Sequence, residues 1–459
     1  MQSSPMAPLD LTRLPLVKPL LRNRWPQFLI TAIALGGFVF AILAGFAGTP
    51  VGNRNFSILF VWIAWWALLM LIAVPFFGRG WCSICPIPAP GEWLQRGAVL
   101  QPVGKGLGLQ KRWPKALRNI WLQNGTFALV ALFSTVVLTQ PRATAIILAA
   151  FLFVAVAASL VFERRAFCRY LCPVGGFIGL YSQLAPVELR VKDTAVCAAH
   201  TEKTCYTGSA DGYGCPWQVF PGGLVKNIYC GTCMECLRTC PHDNIALNLR
   251  AFGADLSRPT GRKLDEAFKA FIMLGSAIVY AAVLLGPWGA LKTSAYAVGS
   301  AAWLGYVLAF LALVFGLLPG LFLLAVAAGK KWARSRVQPR KAFISFAYAL
   351  VPLGLAAWIA FSLAFVFTNL SYLWPALSDP LGWGWNLFGT TGAGWTPYLT
   401  QAVPGLQTFV ILGGCFWSGL VARRIASEQL RPHQATLQAI PVIAFCLAAS
   451  LGMLVLLVG

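Results

Sequence analysis

Long apolar runs alternate with short basic segments along most of this chain. Apolar stretches at 28–48, 56–77, 119–138, 143–162, 270–286, 299–328, 342–367, 405–422 and 436–458 are each about the length that crosses a hydrocarbon core. They predict an α-helical polytopic membrane protein with about nine transmembrane helices. The run at 299–328 is longer than one crossing needs and contains Pro319-Gly320, so a kink or an early exit is expected there. Arg13, Lys18, Arg22 and Arg24 precede the first run, which is longer than the core of a cleavable signal peptide and reads as an uncleaved helix. The apolar pattern lapses once, over 164–266, where no continuous run could span anything. The expected organisation is an N-terminal segment at 1–27, a four-helix membrane part at 28–163, an extramembrane insert at 164–266 and a five-helix membrane part at 267–459.

Composition supports this division. The chain is 58% hydrophobic and 11% charged, against about 25% charged in an ordinary soluble domain. The net charge of +22 could suggest nucleic acid, but in a membrane protein basic loops mark the cytoplasmic side. With the N-terminus in the cytoplasm, all of the 36 Lys and Arg but Arg54, Arg142 and Lys292 fall on that side. The expected location is therefore the bacterial inner membrane, multi-pass, with the polar insert cytoplasmic and the C-terminus outside. The expected partners include the lipid bilayer and exclude nucleic acid.

The chemistry-bearing residues are cysteines. Of the 13, eleven lie between Cys82 and Cys240; clustered pairs of this kind point to metal, not to disulfides. The run Cys230-Gly-Thr-Cys233-Met-Glu-Cys236-Leu-Arg-Thr-Cys240-Pro241 has the C-x2-C-x2-C-x3-C-P spacing with which bacterial ferredoxins hold [4Fe–4S] clusters. A zinc knuckle is the bland alternative, but the third cysteine and the C-P ending are not zinc habits. Cys197, Cys205 and Cys215-Pro216 form a stretched first half of the same pattern. Ferredoxin cross-over logic, in which the fourth cysteine serves the other cluster, assigns Cys215 to Cys230, Cys233 and Cys236, and Cys240 to Cys197 and Cys205. The second group then lacks a thiolate. A three-iron cluster, a ligand from Cys82, Cys85, Cys168 or Cys172, or a non-cysteine group such as His200 or Asp193 would each complete it. Cys82-Ser-Ile-Cys85-Pro86 and Cys168-Arg-Tyr-Leu-Cys172-Pro173 follow the second and fourth apolar runs. These four cysteines could meet at the membrane surface around a cubane of their own. The count permits two or three clusters, mainly [4Fe–4S], with one [3Fe–4S] among the alternatives. Cys415 and Cys446 lie within apolar runs and read as packing residues.

This arrangement resembles the NapH and NosR C-terminal type of membrane ferredoxin. The resemblance rests on Cys168-x3-Cys172-Pro173, on Asn55-Phe56 to Trp65-Trp66 leading into Phe77-Gly78-Arg79, and on Gly212-Tyr213-Gly214-Cys215-Pro216 before the 230–240 run. It covers about residues 28–250; Cys82 and Cys85 are separated by two residues where the family has three. It implies an inserted cytoplasmic ferredoxin-like domain and electron transfer between a quinone pool, or a cytoplasmic donor, and a partner oxidoreductase.

The chain is expected to be a non-catalytic electron-transfer subunit of a redox complex. A quinol dehydrogenase with its own quinone site is the enzymatic alternative, and a redox-sensing or maturation protein the other. The basic face could steer a soluble ferredoxin or flavodoxin donor. The three histidines, His200, His242 and His433, all fall outside the apolar interiors, so paired intramembrane haem ligands are excluded. No P-loop and no G-x-G-x-x-G after a strand supports a nucleotide. The segment 368–404 carries Asp379 as its one charge among many aromatics; it reads as an interfacial belt or, more sharply, a docking surface.

Overall fold

The computed structural model describes residues 8–101 and 104–459 and is mostly helical. Among them, eight helices are long and apolar enough to cross a membrane: Trp25–Ala47, Phe56–Ser83, Pro141–Val161, Leu264–Leu285, Ala301–Trp332, Pro339–Ser378, Val403–Ser427 and Pro432–Leu457. The expected run at 119–138 differs. It forms two pieces, Trp121–Leu132 and Ser134–Thr139, broken at Phe133 (φ −101°, ψ 8°). Hydropathy reads length and polarity, and a single non-helical residue inside an apolar run is invisible to it. The long run at 299–328 becomes one helix of 32 residues. A π-helical stretch at Ala312–Leu317 ends two residues before Pro319, which has no N–H to donate to the preceding turn.

The chain divides into two compact units, neither contiguous in sequence. The first comprises Met1–Phe40, Ile72–Gln123 and Leu148–Asp255 and holds all eleven clustered cysteines. Its sheet has three antiparallel strands, β1 (Leu9–Asp10), β2 (Val187–Val191) and β3 (Ile245–Leu249), in the order β1-β3-β2. Leu9 and Val187 both register with Leu249, and Val191 with Ile245. Alternation along β2 sends Leu189 into a core with Cys205, Cys236, Leu237, Cys240, Ile245 and Leu247. Glu188 and Arg190, of opposite parity, are buried with Arg250 and Asp255; Arg250 Nη1 lies 2.7 Å from Glu188 and 2.5 Å from Asp255.

The N-terminal stretch belongs to this unit. Leu11 and Leu21 pack against the cysteine core, Lys18 pairs with Asp243 at 2.6 Å, and Arg24 with Glu235 at 3.2 Å. In the sequence its basic residues carry only a topology signal, because ion pairs to residues more than 200 positions away leave no local pattern.

The second unit comprises Ala41–Leu71, Asn124–Ile147 and Leu256–Gly459. Its helix Leu350–Asn369 is largely buried, and there Trp358 donates through Nε1 to the Met273 carbonyl at 3.0 Å. The helix expected from residue 270 starts at Leu264 and so includes Asp265, Glu266 and Lys269, all buried. The two acids lie in its first turn, where the helix dipole favours negative charge. Tyr348 donates to Glu266, and Lys269 sits 4.9 Å over the Phe127 ring. Cys415 and Cys446 are buried in their helices. In the 368–404 segment, Trp374, Trp383, Trp385, Phe388 and Trp395 are exposed. Asp379 accepts from the backbone of Trp383 and Gly384, which closes the turn.

Candidate iron–sulfur centres

The first unit gathers its cysteines into three groups. Cys82 lies in the tight turn Gly78–Ser83 that ends a membrane helix. Gly78 makes that turn possible: its φ is +54°, and a Cβ there would meet Ser182 and Ala185 at 3.0 Å. Cys168 lies in the π turn Phe167–Leu171, and Cys172 caps the helix Pro173–Tyr181, its Sγ accepting from the Gly175 N–H at 3.2 Å. The thiols of Cys82, Cys85, Cys168 and Cys172 are mutual electrostatic neighbours: Cys85 senses Cys82 and Cys172, and Cys168 senses the other three. Burial raises the thiols of Cys85 and Cys168, and that of Cys172 to about 11.

Buried arginines hold this group in place. Arg165 donates to the Cys82 carbonyl at 2.7 Å and to Glu92, which also binds Arg96 at 3.2 Å. Burial opposes the Arg165 charge, and the Glu92 carboxylate and nearby thiols more than offset it, so its pKa lies above the ordinary value. Arg79 donates to the carbonyls of Ile228 and Gly175, each at 2.5 Å, and its guanidinium stacks 4.4 Å from the Trp217 ring. One side chain thus ties the first cysteine motif to the helix after the second and to the loop before Cys230.

Cys215, Cys230, Cys233 and Cys236 line one largely apolar cavity, with Trp217 and Arg190 on its wall. Thr232 (φ +50°) and Met234 (φ +63°) adopt left-handed backbone within the C-x2-C-x2-C run, which turns the chain sharply between successive thiols. Burial raises the thiols of Cys215, Cys230, Cys233 and Cys236. Thiols so desolvated stay protonated when alone, and a bound metal would draw out the thiolates. Donors are in place to share the charge: the Val219 N–H donates to Cys215 Sγ at 3.4 Å, and the Trp217 Nε1–H, buried without a partner, lines the same cavity. Hydrogen bonds to cluster sulfurs help set its potential. Trp217 escaped the sequence reading, since a tryptophan after C-P carries no metal signature.

The third group is Cys197, Cys205 and Cys240. Burial lifts the Cys205 thiol to about 11, and Cys240 and Cys197 weigh most among the neighbouring thiols that add to the shift. Asn244 bridges the other two, its backbone N–H donating to Cys240 Sγ at 3.3 Å and its Nδ2 to Cys197 Sγ at 3.4 Å. Asp193 is exposed and caps the helix Thr194–Ala199, accepting from the Ala195 N–H at 2.7 Å. His200 follows that helix, half-buried, and its ring stacks on His242 at 4.5 Å. Among the described residues no three His, Cys, Asp or Glu side chains converge on a point where a single ion would sit. Around a cluster, thiolates stand apart by the width of its iron–sulfur body.

A second cavity lies beside these groups. It is lined by Arg24, Gln27, Thr31, Ser83, Trp93 and Cys233, among others, and by the buried Glu92–Arg165 pair. It therefore touches both the loop between Cys82 and Cys85 and the run at 230–240.

Residues 58–110 and 144–192 match the model of a 4Fe–4S binding domain. Cys82 and Cys85 fall in the first matched stretch and Cys168 and Cys172 in the second, while Cys197 to Cys240 lie outside both. Over 115 residues the chain is 30% identical to the "Putative electron transport protein YccM" of Escherichia coli (strain K12). That stretch is 25% of this chain and spans 28% of the E. coli protein's length. No solved structure matches the chain.

Proposed function

We propose that this chain is a membrane-bound iron–sulfur electron carrier that relays electrons between a quinone pool, or a cytoplasmic donor, and a partner oxidoreductase. The observation that carries the reading is the gathering of eleven cysteines into three neighbouring groups in one compact unit, the first of them at the end of a membrane helix. Cys82, Cys85, Cys168 and Cys172 would hold the cluster nearest the membrane, and Cys215, Cys230, Cys233 and Cys236 a second. Cys197, Cys205 and Cys240 would hold a third. Each cluster supplies a one-electron site, and the protein's part is to hold, bury and charge-balance it. The polar cavity between Ser83 and Cys233 supports contact with a quinone: arginines and Gln27 suit carbonyl oxygens, and Trp93 and Phe28 suit a ring. The E. coli protein's printed role in electron transport and the resemblance to the NapH and NosR type point the same way. In this reading the first unit faces the cytoplasm, where the basic loops are retained.

The test is made on anaerobically purified full-length protein. About twelve irons per chain with matching acid-labile sulfide, and clusters reduced by a quinol analogue or oxidised by the quinone, are expected. Cys233→Ser should remove one cluster's signal and leave the membrane part inserted. A protein without iron, with zinc in its place, would overturn the reading. Iron-loaded protein inert towards quinones but reduced by a soluble ferredoxin would select the cytoplasmic-donor arm.

A further inference from the structure

The group formed by Cys197, Cys205 and Cys240 offers three thiolates where a cubane has four corners. The other candidates are engaged elsewhere. Cys82, Cys85, Cys168 and Cys172 neighbour one another, and Asp193 is exposed and spends its carboxylate on a helix cap. His200 differs from both. It follows Cys197 as C-x2-H, so it occupies the place that the second cysteine takes in a C-x2-C ferredoxin run. Its Nδ1 is buried and has no hydrogen-bond partner, which for a ring nitrogen is costly unless something occupies it. Its position is braced. Lys203 Nζ donates to both the Cys197 and the His200 carbonyls, closing the loop that carries the two residues. The far side of the loop is held by Asn244, whose Nδ2 reaches Cys197 Sγ and the Asp193 carbonyl. The stacked His242, two residues after Cys240, covers the imidazole face and brings it to the chain that supplies the Cys240 thiolate.

We propose that His200 is the fourth ligand of the cluster held by Cys197, Cys205 and Cys240. The imidazole binds neutral, through the Nδ1 lone pair, with the proton on Nε2. It replaces a thiolate, so the site carries one negative charge fewer than its neighbours. Histidine-for-cysteine replacement raises a cluster's reduction potential. This cluster would therefore have the highest potential of the three, and electrons would collect there. The inference rests on the iron–sulfur reading above, but the two can fail separately.

The experiment uses full-length protein purified without oxygen and grown with either natural-abundance or 15N-labelled histidine. Pulsed EPR of the reduced protein reads the nitrogen coupling. The chain has three histidines, so the label is nearly site-specific. The expected result is a strong histidine-nitrogen coupling on one cluster that changes with the label, survives His242→Ala and disappears in His200→Cys. His200→Cys should keep its iron content and move one reduction potential downwards. His200→Ala should lose about one iron and gain the oxidised-form signal of a three-iron cluster. If wild-type protein with three clusters shows no labelled-histidine coupling, or already shows the three-iron signal, the ligand assignment is overturned and the electron-carrier reading stands. Coupling lost in His242→Ala but kept in His200→Cys would overturn it equally. If wild-type protein holds no iron at all, both readings fall. The wild-type labelling arm decides the matter even where a variant fails to fold.

Discussion

Replacing Glu92 with alanine removes the anion that Arg165 and Arg96 share. All three residues are buried. At the 3.2 Å separating Glu92 from Arg96, with an effective dielectric near 20, one such attraction is roughly 5 kcal/mol before desolvation. Burying the charges consumes much of that. The net cost of deleting one partner of a buried pair is about 3–5 kcal/mol, a large share of the roughly 5–15 kcal/mol that holds a domain folded. Arg165 would keep its bond to the Cys82 carbonyl but lose its counter-ion, so damage should centre on Cys82, Cys85, Cys168 and Cys172. Thermal unfolding in detergent and iron per chain measure it. Glu92→Ala should lower Tm and lose about four irons, one cubane's worth. Adding Arg165→Met should recover part of the Tm, because exchanging a whole buried pair for apolar groups is often nearly neutral. An unchanged Tm and iron content in the single variant, or a double variant worse than the single, would refute the charge argument.

Further outcomes are expected elsewhere in the first unit. A Cβ on Gly231 would lie 1.8 Å from Trp217 Nε1. Gly231→Ala should therefore cost about 1–3 kcal/mol through overpacking and weaken the cluster site at Cys230; Trp217→Phe in the same chain should relieve it, and an unaffected Tm in Gly231→Ala would show that the ring moves freely. Cys172→Ser should stop electron flow between membrane and soluble clusters in reconstituted vesicles, whereas unchanged flow would make the membrane-edge group structural. In the iron-free protein, burial raises Cys172 and Cys205 from the ordinary 9.0 to about 11. The folded state then keeps protons that the unfolded chain releases above pH 9, so this contribution is complete below pH 9 and lost as pH rises through about 11. Tm measured from pH 7 to 11 should fall in that window for iron-free protein but not for loaded protein, whose ligated thiolates have no such protons; parallel curves would contradict the ligation.

What the sequence determined by itself is whatever is written locally. Apolar length alone sets the membrane class, because crossing a hydrocarbon core is a property of about twenty consecutive residues. The C-x2-C-x2-C-x3-C-P run points to iron chemistry for the same reason: four candidate thiolates fall within one short stretch of chain. Tertiary structure decided which distant thiols meet. That Cys82, Cys85, Cys168 and Cys172 could meet followed from their places after two apolar runs, but which of these thiols face one another is set only by the packing of segments far apart in the chain. It likewise decided that residues 8–24 complete the cysteine core, through a two-residue strand and long-range ion pairs too small to show as periodicity. A break at the single residue Phe133 and the early start of the helix at Leu264 were equally illegible, since backbone geometry and packing set both. His200 shows the boundary between the two. Its spacing from Cys197 was visible in the sequence, but an exposed loop histidine and a buried ligand read alike until the fold turns one ring nitrogen inwards and leaves it without a partner.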